Sequence, residues 1–181
     1  MKVGFFIKGQ EELFSNGCNQ QALFVYQTFM EIEDMECLFF TYKTKTNNFL
    51  GIPTYDIKED ENLLLSLDIL IFLSNSFSEK GLIKKLKLAN VSLVDYNCGN
   101  ILYILKEDII FGKHNYITEN LIEKMRNNDQ YWVIPNYSKD IHFYKSLCRD
   151  DAKVYTAPYV WNTDILKLYT KSNDISWCIN N

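Results

Sequence analysis

Val3-Gly4-Phe5-Phe6-Ile7 forms an apolar run near the start of the chain, and Ser15-Asn16-Gly17-Cys18-Asn19-Gln20-Gln21 follows it after a short polar loop. The apolar run predicts a β-strand, and the helical periodicity after it predicts an amphipathic helix over about residues 17–33. A helix start presents unpaired N–H groups and the positive end of a dipole, which favours a phosphate or another electron-rich group. The segment lacks the Gly-x-Gly-x-x-Gly spacing of a dinucleotide site and the Gly-Lys-Ser/Thr of a P-loop. It therefore predicts a place for a ligand without identifying the ligand.

The rest of the chain alternates apolar runs with helical patterns. Further strands are predicted at residues 37–42, 68–73, 91–96, 131–134 and 153–157. Helices are predicted at about residues 58–66, 79–89, 101–110, 119–127 and 138–148, and a polar loop is predicted over residues 43–55. This alternation predicts an α/β fold, a Rossmann-like three-layer sandwich with a mostly parallel sheet and helices on both faces.

The composition limits the class of protein. The 181 residues are 47% hydrophobic and carry a net charge of −4, which predicts one folded domain and no basic surface for nucleic acid. No apolar run approaches the roughly 20 residues that span a bilayer, and the N-terminus lacks a secretory pattern. The five cysteines form no Cys-x-x-Cys pair and the two histidines lie far apart, so no metal site is expected. We expect a soluble cytoplasmic protein.

Polar side chains follow several of the predicted strands. Ligands of open α/β sheets bind outside the carboxyl ends of the strands, so these residues are expected at one edge. The candidate ligand-binding residues are Asn16, Gly17, Asn19, Gln20, Ser74, Asn75, Asn97, Gly99 and Asn100. Amides both donate and accept hydrogen bonds and so match sugar hydroxyls, which favours a carbohydrate or nucleotide site. The same residue types are also ordinary turn formers, and that interpretation stays open.

Three segments together resemble one group of proteins. They are residues 14–20, residues 97–101 with 107–112, and residues 129–135 with 157–162. Their order and spacing are similar to the N-terminal half of a glycosyltransferase-like family of uncharacterised bacterial and viral proteins, which has a Ser-Asn-Gly-x-Asn-Gln opening and a Pro-Tyr/Phe-x-Trp exit. The resemblance implies one Rossmann-like domain over residues 1–166, with residues 167–181 as a tail or the start of an interdomain linker.

The resemblance implies the two-domain, metal-independent GT-B architecture. In that architecture the N-terminal domain mainly receives the acceptor, and the C-terminal domain mainly holds the nucleotide sugar. The chain would therefore be the acceptor-side half, and the donor-binding half is absent from this sequence. The implied partners are a glycan or small hydroxyl acceptor, together with a second Rossmann-like domain or another copy of the chain covering the region of Trp161. No cofactor is implied beyond a nucleotide sugar as donor, and a viral source would place the protein in the host cytoplasm.

Glycosyl transfer requires a base that takes the acceptor proton. Asp95, at the end of the fourth predicted strand, is the first candidate, and a turn-stabilising role is its alternative. His114 is the second candidate, and an exposed loop histidine is its alternative. Trp132 and Trp161 are candidates for stacking on a sugar, although the strand position of Trp132 favours the core.

Two other functions are alternatives to glycosyl transfer. A stand-alone carbohydrate- or nucleotide-binding module without catalysis fits the same polar edge. A flavodoxin-like or regulatory α/β domain fits less well, because the strand ends lack an acidic cluster paired with lysine and no Ser/Thr phosphate loop is evident.

Overall fold

The computed structural model describes residues 1–7, 17–42, 48–49, 51–73, 79–97, 111, 122–123, 125–133, 141–158 and 160. The strands are β1 (Lys2–Phe6), β2 (Glu36–Thr41), β3 (Asn48–Phe49), β4 (Ile52–Asp56), β5 (Ile69–Leu73), β6 (Ser92–Asn97), β7 (Gln130–Val133) and β8 (Lys153–Thr156). The helices are α1 (Gly17–Met30), α2 (Glu61–Leu65), α3 (Lys80–Leu88) and α4 (Ile141–Leu147). Residues 122–123 and 125–127 are also helical.

The strands form one sheet in the order β3-β4-β2-β1-β5-β6-β7-β8. Every pairing is parallel except that of β3 with β4, which is antiparallel. Strands β2, β4 and β3 therefore lie on one side of β1. Strands β5, β6, β7 and β8 follow one another on its other side. This is the doubly wound arrangement of Rossmann-like domains, and the predicted fold class is confirmed.

Helices cover both faces of the sheet because alternate residues of the central strands point to opposite sides. On one face, Val3 and Phe5 pack with buried residues of α1 such as Ala22 and Phe24. On the other face, Phe6 belongs to a cluster with buried residues of α2 and α3. The apolar character of both faces explains why the central strands read as continuous apolar runs.

Gly4 allows the sheet and the segment before β5 to approach closely. A Cβ atom at Gly4 would lie 2.5 Å from Cδ1 of Leu67 and 3.1 Å from Cδ1 of Leu70. Both leucines are buried in the cluster on the α2–α3 face. A side chain at Gly4 would therefore require the ends of these buried leucine side chains to shift.

The predicted polar loop over residues 43–55 is wrong in part. Strand β4 pairs with β2, and the two-residue strand β3 pairs with β4. Pro53 concealed this strand, since proline cannot donate a ladder hydrogen bond and is confined to peripheral positions of sheets. β4 is such a position, because only the short β3 lies outside it.

The other predicted elements agree with the described residues to within a few positions. The helix after β1 begins at Gly17 as predicted and ends at Met30. Strand β6 continues through Asn97, where the sequence had indicated a break. The predicted helix over residues 101–110 lies outside the described residues. Each helix in the described part of the chain is too short or too polar to cross a membrane.

Candidate functional site

The sheet changes winding direction between its two central strands. β1 pairs with β5, while the crossover after β1 passes through α1 on one face and the crossover after β5 passes through α3 on the other. In sheets of this kind the ligand crevice lies outside the carboxyl ends of the strands at this reversal. Helix α1 begins at Gly17 and follows directly on the segment that leaves β1. The start of α1, which carries the predicted ligand residues Gly17, Asn19 and Gln20, is therefore near the position that the topology favours.

The three predicted ligand residues on α1 differ in their surroundings. Gly17 is exposed, and a Cβ atom built on it would have no heavy atom within 4 Å. Gln20 is half-buried, whereas Asn19 is fully enclosed. Gly17 and Gln20 can therefore meet a ligand in this conformation, and Asn19 belongs to the packed interior.

Gln21 is not among the predicted ligand residues, yet its side chain connects the start of α1 with residue 160. Its side chain is fully buried, and Nε2 donates to the carbonyl oxygen of Val160 at 2.7 Å. Nearby, the hydroxyl of Tyr96 donates to the carbonyl oxygen of Pro158 at 2.7 Å. These two bonds hold Val160 against α1 and Pro158 against β6. The sequence shows a glutamine in the first turns of the helix. It does not show that this side chain is buried or that its partner lies 139 residues away.

Asp95 and Asn97 form the polar part of strand β6. Alternation along the strand places both on the face opposite Val94 and Tyr96. Asp95 lies two residues before the end of the strand and is 8% exposed. The hydroxyl of Tyr131 donates to Oδ2 of Asp95 at 3.3 Å. The carboxyl is therefore enclosed below the edge of the sheet instead of standing on it.

Neighbouring side chains extend this polar cluster toward α4. Nδ2 of Asn128 donates to the hydroxyl oxygen of Tyr131 at 3.1 Å. Nδ2 of Asn97 donates to the hydroxyl oxygen of Tyr144 at 3.1 Å, and Tyr144 lies on α4. Within the described residues, Oδ1 of Asp95 and Oδ1 of Asn97 accept no hydrogen bond. Two buried acceptors are thus available to a donor group or a water molecule.

Burial raises the pKa of Asp95 from its ordinary 3.8 to about 7. The Tyr131 hydroxyl opposes this rise by donating to the carboxylate, and Cys18, in the first turn of α1, adds to it. Burial and then the charge of Asp95 raise the pKa of Tyr131 well above its ordinary value, so Tyr131 remains a donor. Asp95 is therefore a carboxyl group that exchanges a proton near neutral pH, as acid–base chemistry requires.

Trp132 is part of the core on the α1 face. Its ring lies 6.5 Å from that of Phe29 and 6.1 Å from that of Tyr96. Its Nε1 donates to Oε1 of Gln130 at 3.2 Å. These contacts explain the tryptophan as a packing residue.

Several predicted site residues lie outside the described residues and stay predictions. They are Asn16, Ser74, Asn75, Gly99, Asn100, His114 and Trp161. In the part of the chain that the structure describes, no three His, Cys, Asp or Glu side chains come together as a metal site. Burial raises the pKa of Cys37 to about 11 and that of Cys148 to about 12, so both thiols stay protonated.

A family model described as "Protein of unknown function (DUF2827)" matches residues 3–175. No curated protein matches the chain in sequence. Among solved structures, the fold is similar to that of an engineered D-amino acid dehydrogenase bound to NADP+, at 14% identity and a TM-score of 0.39. It is also similar to a UGT glycosyltransferase from Glycyrrhiza uralensis complexed with glycyrrhetinic acid 3-O-monoglucuronide, at 8% identity and a TM-score of 0.49. A third similar structure is an NADPH-dependent glyoxylate/hydroxypyruvate reductase from Sinorhizobium meliloti, at 14% identity and a TM-score of 0.42.

These three alignments cover 74%, 86% and 99% of this chain. The chain spans only 35%, 48% and 65% of the three structures, which is less than two thirds of each. Identities and TM-scores this low bear on neither the ligand nor the reaction.

Proposed function

Because the chain belongs to the DUF2827 family, whose function is unknown, we propose a function from its own residues. The chain is the acceptor-side half of a GT-B-like glycosyltransferase. This enzyme moves a sugar from a nucleotide sugar to a hydroxyl of a glycan or another acceptor. A second Rossmann-like domain, outside this sequence, supplies the donor side. The observation that carries the proposal is the winding reversal between β1 and β5, where α1 begins at an exposed glycine.

The residue types at this edge support a sugar as the ligand. Gly17 lets a ligand approach the backbone at the helix start, and the half-buried Gln20 offers both a donor and an acceptor. The resemblance of the surrounding segments to a glycosyltransferase-like family points the same way. An acceptor hydroxyl bound here would face the nucleotide sugar of the second domain across a cleft.

Asp95 is the proposed base. The acceptor oxygen attacks the anomeric carbon, the bond to the nucleoside diphosphate breaks, and the acceptor proton passes to the base. A carboxyl with a pKa of about 7 is present as carboxylate in a substantial fraction at neutral pH. His114 is the alternative base. For this role the acceptor hydroxyl must come within hydrogen-bond distance of Oδ1 of Asp95, which is buried in this structure.

The second candidate function is a sugar- or nucleotide-binding module without catalysis. The burial of Asp95 favours it, because an enclosed carboxyl held by Tyr131 fulfils a structural role without meeting any substrate. The two functions differ in a simple assay. An enzyme half joined by its donor domain releases nucleoside diphosphate in the presence of acceptor, whereas a module binds the glycan and releases nothing.

Gly17→Ala tests the location of the site. The added methyl group meets no protein atom, so the free energy of unfolding should stay equal or rise by about 0.5 kcal/mol. The same methyl group should weaken ligand binding roughly tenfold, about 1.4 kcal/mol, because it obstructs approach to the helix start. Thermal shift and NMR titration with UDP-glucose, GDP-mannose and short oligosaccharides would measure both quantities.

Gly81→Ala is the matched control for this experiment. Gly81 also lies in the first turn of a helix, α3, and a Cβ atom there would likewise meet nothing within 4 Å. This variant should bind every ligand as the wild-type protein does. Equal binding by wild-type and Gly17→Ala proteins, with any ligand that binds at all, would contradict a site at the start of α1.

A further inference from the structure

An exposed basic groove runs along the outer side of α3, on the face opposite α1. It is lined by Lys80, Ile83, Lys84, Lys87, Leu88 and Glu123 and has a volume of about 370 Å³. Lys80, Lys84 and Lys87 follow one another at steps of four and three residues, which places the three ammonium groups on one side of the helix. Leu88, at the end of the helix, is 75% exposed. The groove therefore combines a row of positive charge with an apolar end.

An acidic turn, residues 30–36, has the complementary character. It reads Met-Glu-Ile-Glu-Asp-Met-Glu and joins the end of α1 to the start of β2. Met30 is 48% exposed and Ile32 is 50% exposed, and Glu31, Glu33 and Asp34 are exposed beside them. The turn presents two apolar side chains flanked by three carboxylates.

The acidic turn has a defined backbone. The N–H of Ile32 donates to the carbonyl oxygen of Phe29 at 3.0 Å, and the N-terminal ammonium of Met1 donates to that of Asp34 at 2.8 Å. Asp34 takes a positive φ of 63°, which closes the turn. A turn held in one conformation loses little conformational entropy when it binds.

We propose that the acidic turn of one copy of this chain docks in the basic groove of a second copy. Within one molecule the two surfaces cannot meet, because α1 and α3 cover opposite faces of the sheet. The contact is therefore head to tail, with a different patch on each side, and it can add further copies in the same way. Ile32 or Met30 meets Leu88, while Glu31 and Glu33 face Lys84 and Lys87.

The charges of the two surfaces are available for this contact. In the described part of the chain, Lys84 and Lys87 form no ion pair, and neither do Glu31 and Glu33. Lys87 is half-buried and interacts electrostatically with Arg149, Asp129 and Asp151, so the exposed Lys84 is the more available of the two. Lys80, by contrast, is paired with Glu123 at 2.7 Å, which closes one end of the groove. The contact is small and polar, so it is expected to be weak and sensitive to salt.

The surfaces lie away from the site of the proposed function. The acidic turn leads into the amino end of β2, and α3 ends before the amino end of β6. The candidate ligand site is at the opposite edge, where the strands end. Self-association and sugar binding can thus fail or succeed independently of one another.

Sedimentation velocity and NMR on the wild-type chain test the proposal. At low salt and protein concentrations up to about 1 mM, the mass should rise above that of a monomer, with amide shifts in residues 30–36 and 80–88. Raising the ionic strength to about 0.5 M should weaken the association at least tenfold. A wild-type chain that stays monomeric over this range would overturn the proposal.

Two variants separate the two halves of the contact. Glu31→Gln/Glu33→Gln removes charge from the turn, and Lys84→Gln/Lys87→Gln removes it from the groove. Each alone should associate at least about tenfold more weakly than wild type. Their mixture should form a one-to-one complex with wild-type affinity that does not grow, because each variant retains the surface the other lacks.

A matched control keeps the net charge of the groove variant but changes another surface. Lys145→Gln/Lys153→Gln removes two exposed lysines on α4 and β8. It should associate as the wild-type chain does. Association that persists in the groove variant, or is lost equally in this control, would contradict docking in the groove.

Discussion

The wild-type protein is expected to lose stability as the pH rises from about 4 to 7, and replacing Asp95 with asparagine is expected to remove most of that decline. In the folded protein, burial raises the pKa of Asp95 to about 7, whereas the unfolded chain titrates near 3.8. Asparagine has no proton to exchange, and its side-chain oxygen can still accept the hydrogen bond from Tyr131. The variant should therefore be nearly as stable as wild type at pH 4 and more stable above pH 7.

The direction in which stability changes with pH follows from the pKa of Asp95 in the folded and in the unfolded protein. Below about pH 4 the carboxyl is protonated in both states and contributes no pH dependence. Between pH 4 and 7 the unfolded chain releases the proton and the folded protein retains it, so rising pH favours unfolding. Above pH 7 Asp95 is ionised in both the folded and the unfolded protein, and the loss of stability is complete. Each tenfold change in proton affinity is worth about 1.36 kcal/mol, so the full loss is at most roughly 4 kcal/mol.

Urea unfolding at a series of pH values would measure this effect on both proteins. Tyr131→Phe is the informative companion, because it removes the hydroxyl that lowers the pKa of Asp95. The decline in stability should then extend to higher pH than in wild type. Parallel stability profiles for wild type and Asp95→Asn across pH 4 to 7 would contradict a buried carboxyl that retains its proton.

The same substitution separates the two candidate functions. A catalytic base contributes about 10²- to 10⁴-fold to a rate. If Asp95 is that base, Asp95→Asn in the assembled enzyme should lose turnover by this factor while sugar binding at α1 is retained. If turnover survives, Asp95 is not the base and His114 becomes the candidate to replace.

Replacing Phe5 with alanine should lower the free energy of unfolding by about 3–5 kcal/mol. Phe5 is completely buried in the central strand. Its ring packs edge-on against Phe29 at 5.8 Å, Phe39 at 5.9 Å and Tyr26 at 6.3 Å between ring centres. The substitution removes these contacts and leaves a cavity between β1, β2 and α1, which rigid neighbours fill only in part.

The urea midpoint, at an unchanged dependence on denaturant, would report this loss. Leu88→Ala provides the comparison, since that side chain is mostly exposed and its removal should change stability by no more than about 0.5 kcal/mol. Similar effects at the two positions would mean that α1 does not pack on β1 as described. Since Phe5 joins α1 to the central strand, its loss should also weaken any ligand bound at the helix start.

The central strands and α1 could be predicted because their signals are local. β1 and β5 are apolar on both faces, which a sheet covered on both sides requires. Helix α1 begins at Gly17, as its apolar spacing indicated. Strand β4 was missed because Pro53 weighs against a strand wherever the neighbours of that strand are unknown. Its peripheral position, which makes the proline acceptable, is not a local property.

The candidate site was likewise predictable only in part from the sequence. The sequence identified Asp95 and Asn97 as polar residues near a strand end, and Gly17 and Gln20 as part of a helix start. It could not show that Asn19 is enclosed, or that Gln21 holds residue 160, because burial depends on what packs from elsewhere in the chain.

By itself, the sequence determined the succession of strands and helices, since hydrophobic periodicity is carried by neighbouring residues. It also determined that amides and glycines follow the strands. Only the tertiary structure decided that β1 and β5 lie side by side, so that α1 begins at the reversal of the sheet. It also decided the protonation of Asp95. The free energy of ionising a carboxyl depends on the water it loses, and for Asp95 that loss is caused by surroundings that include Tyr131, 36 residues away.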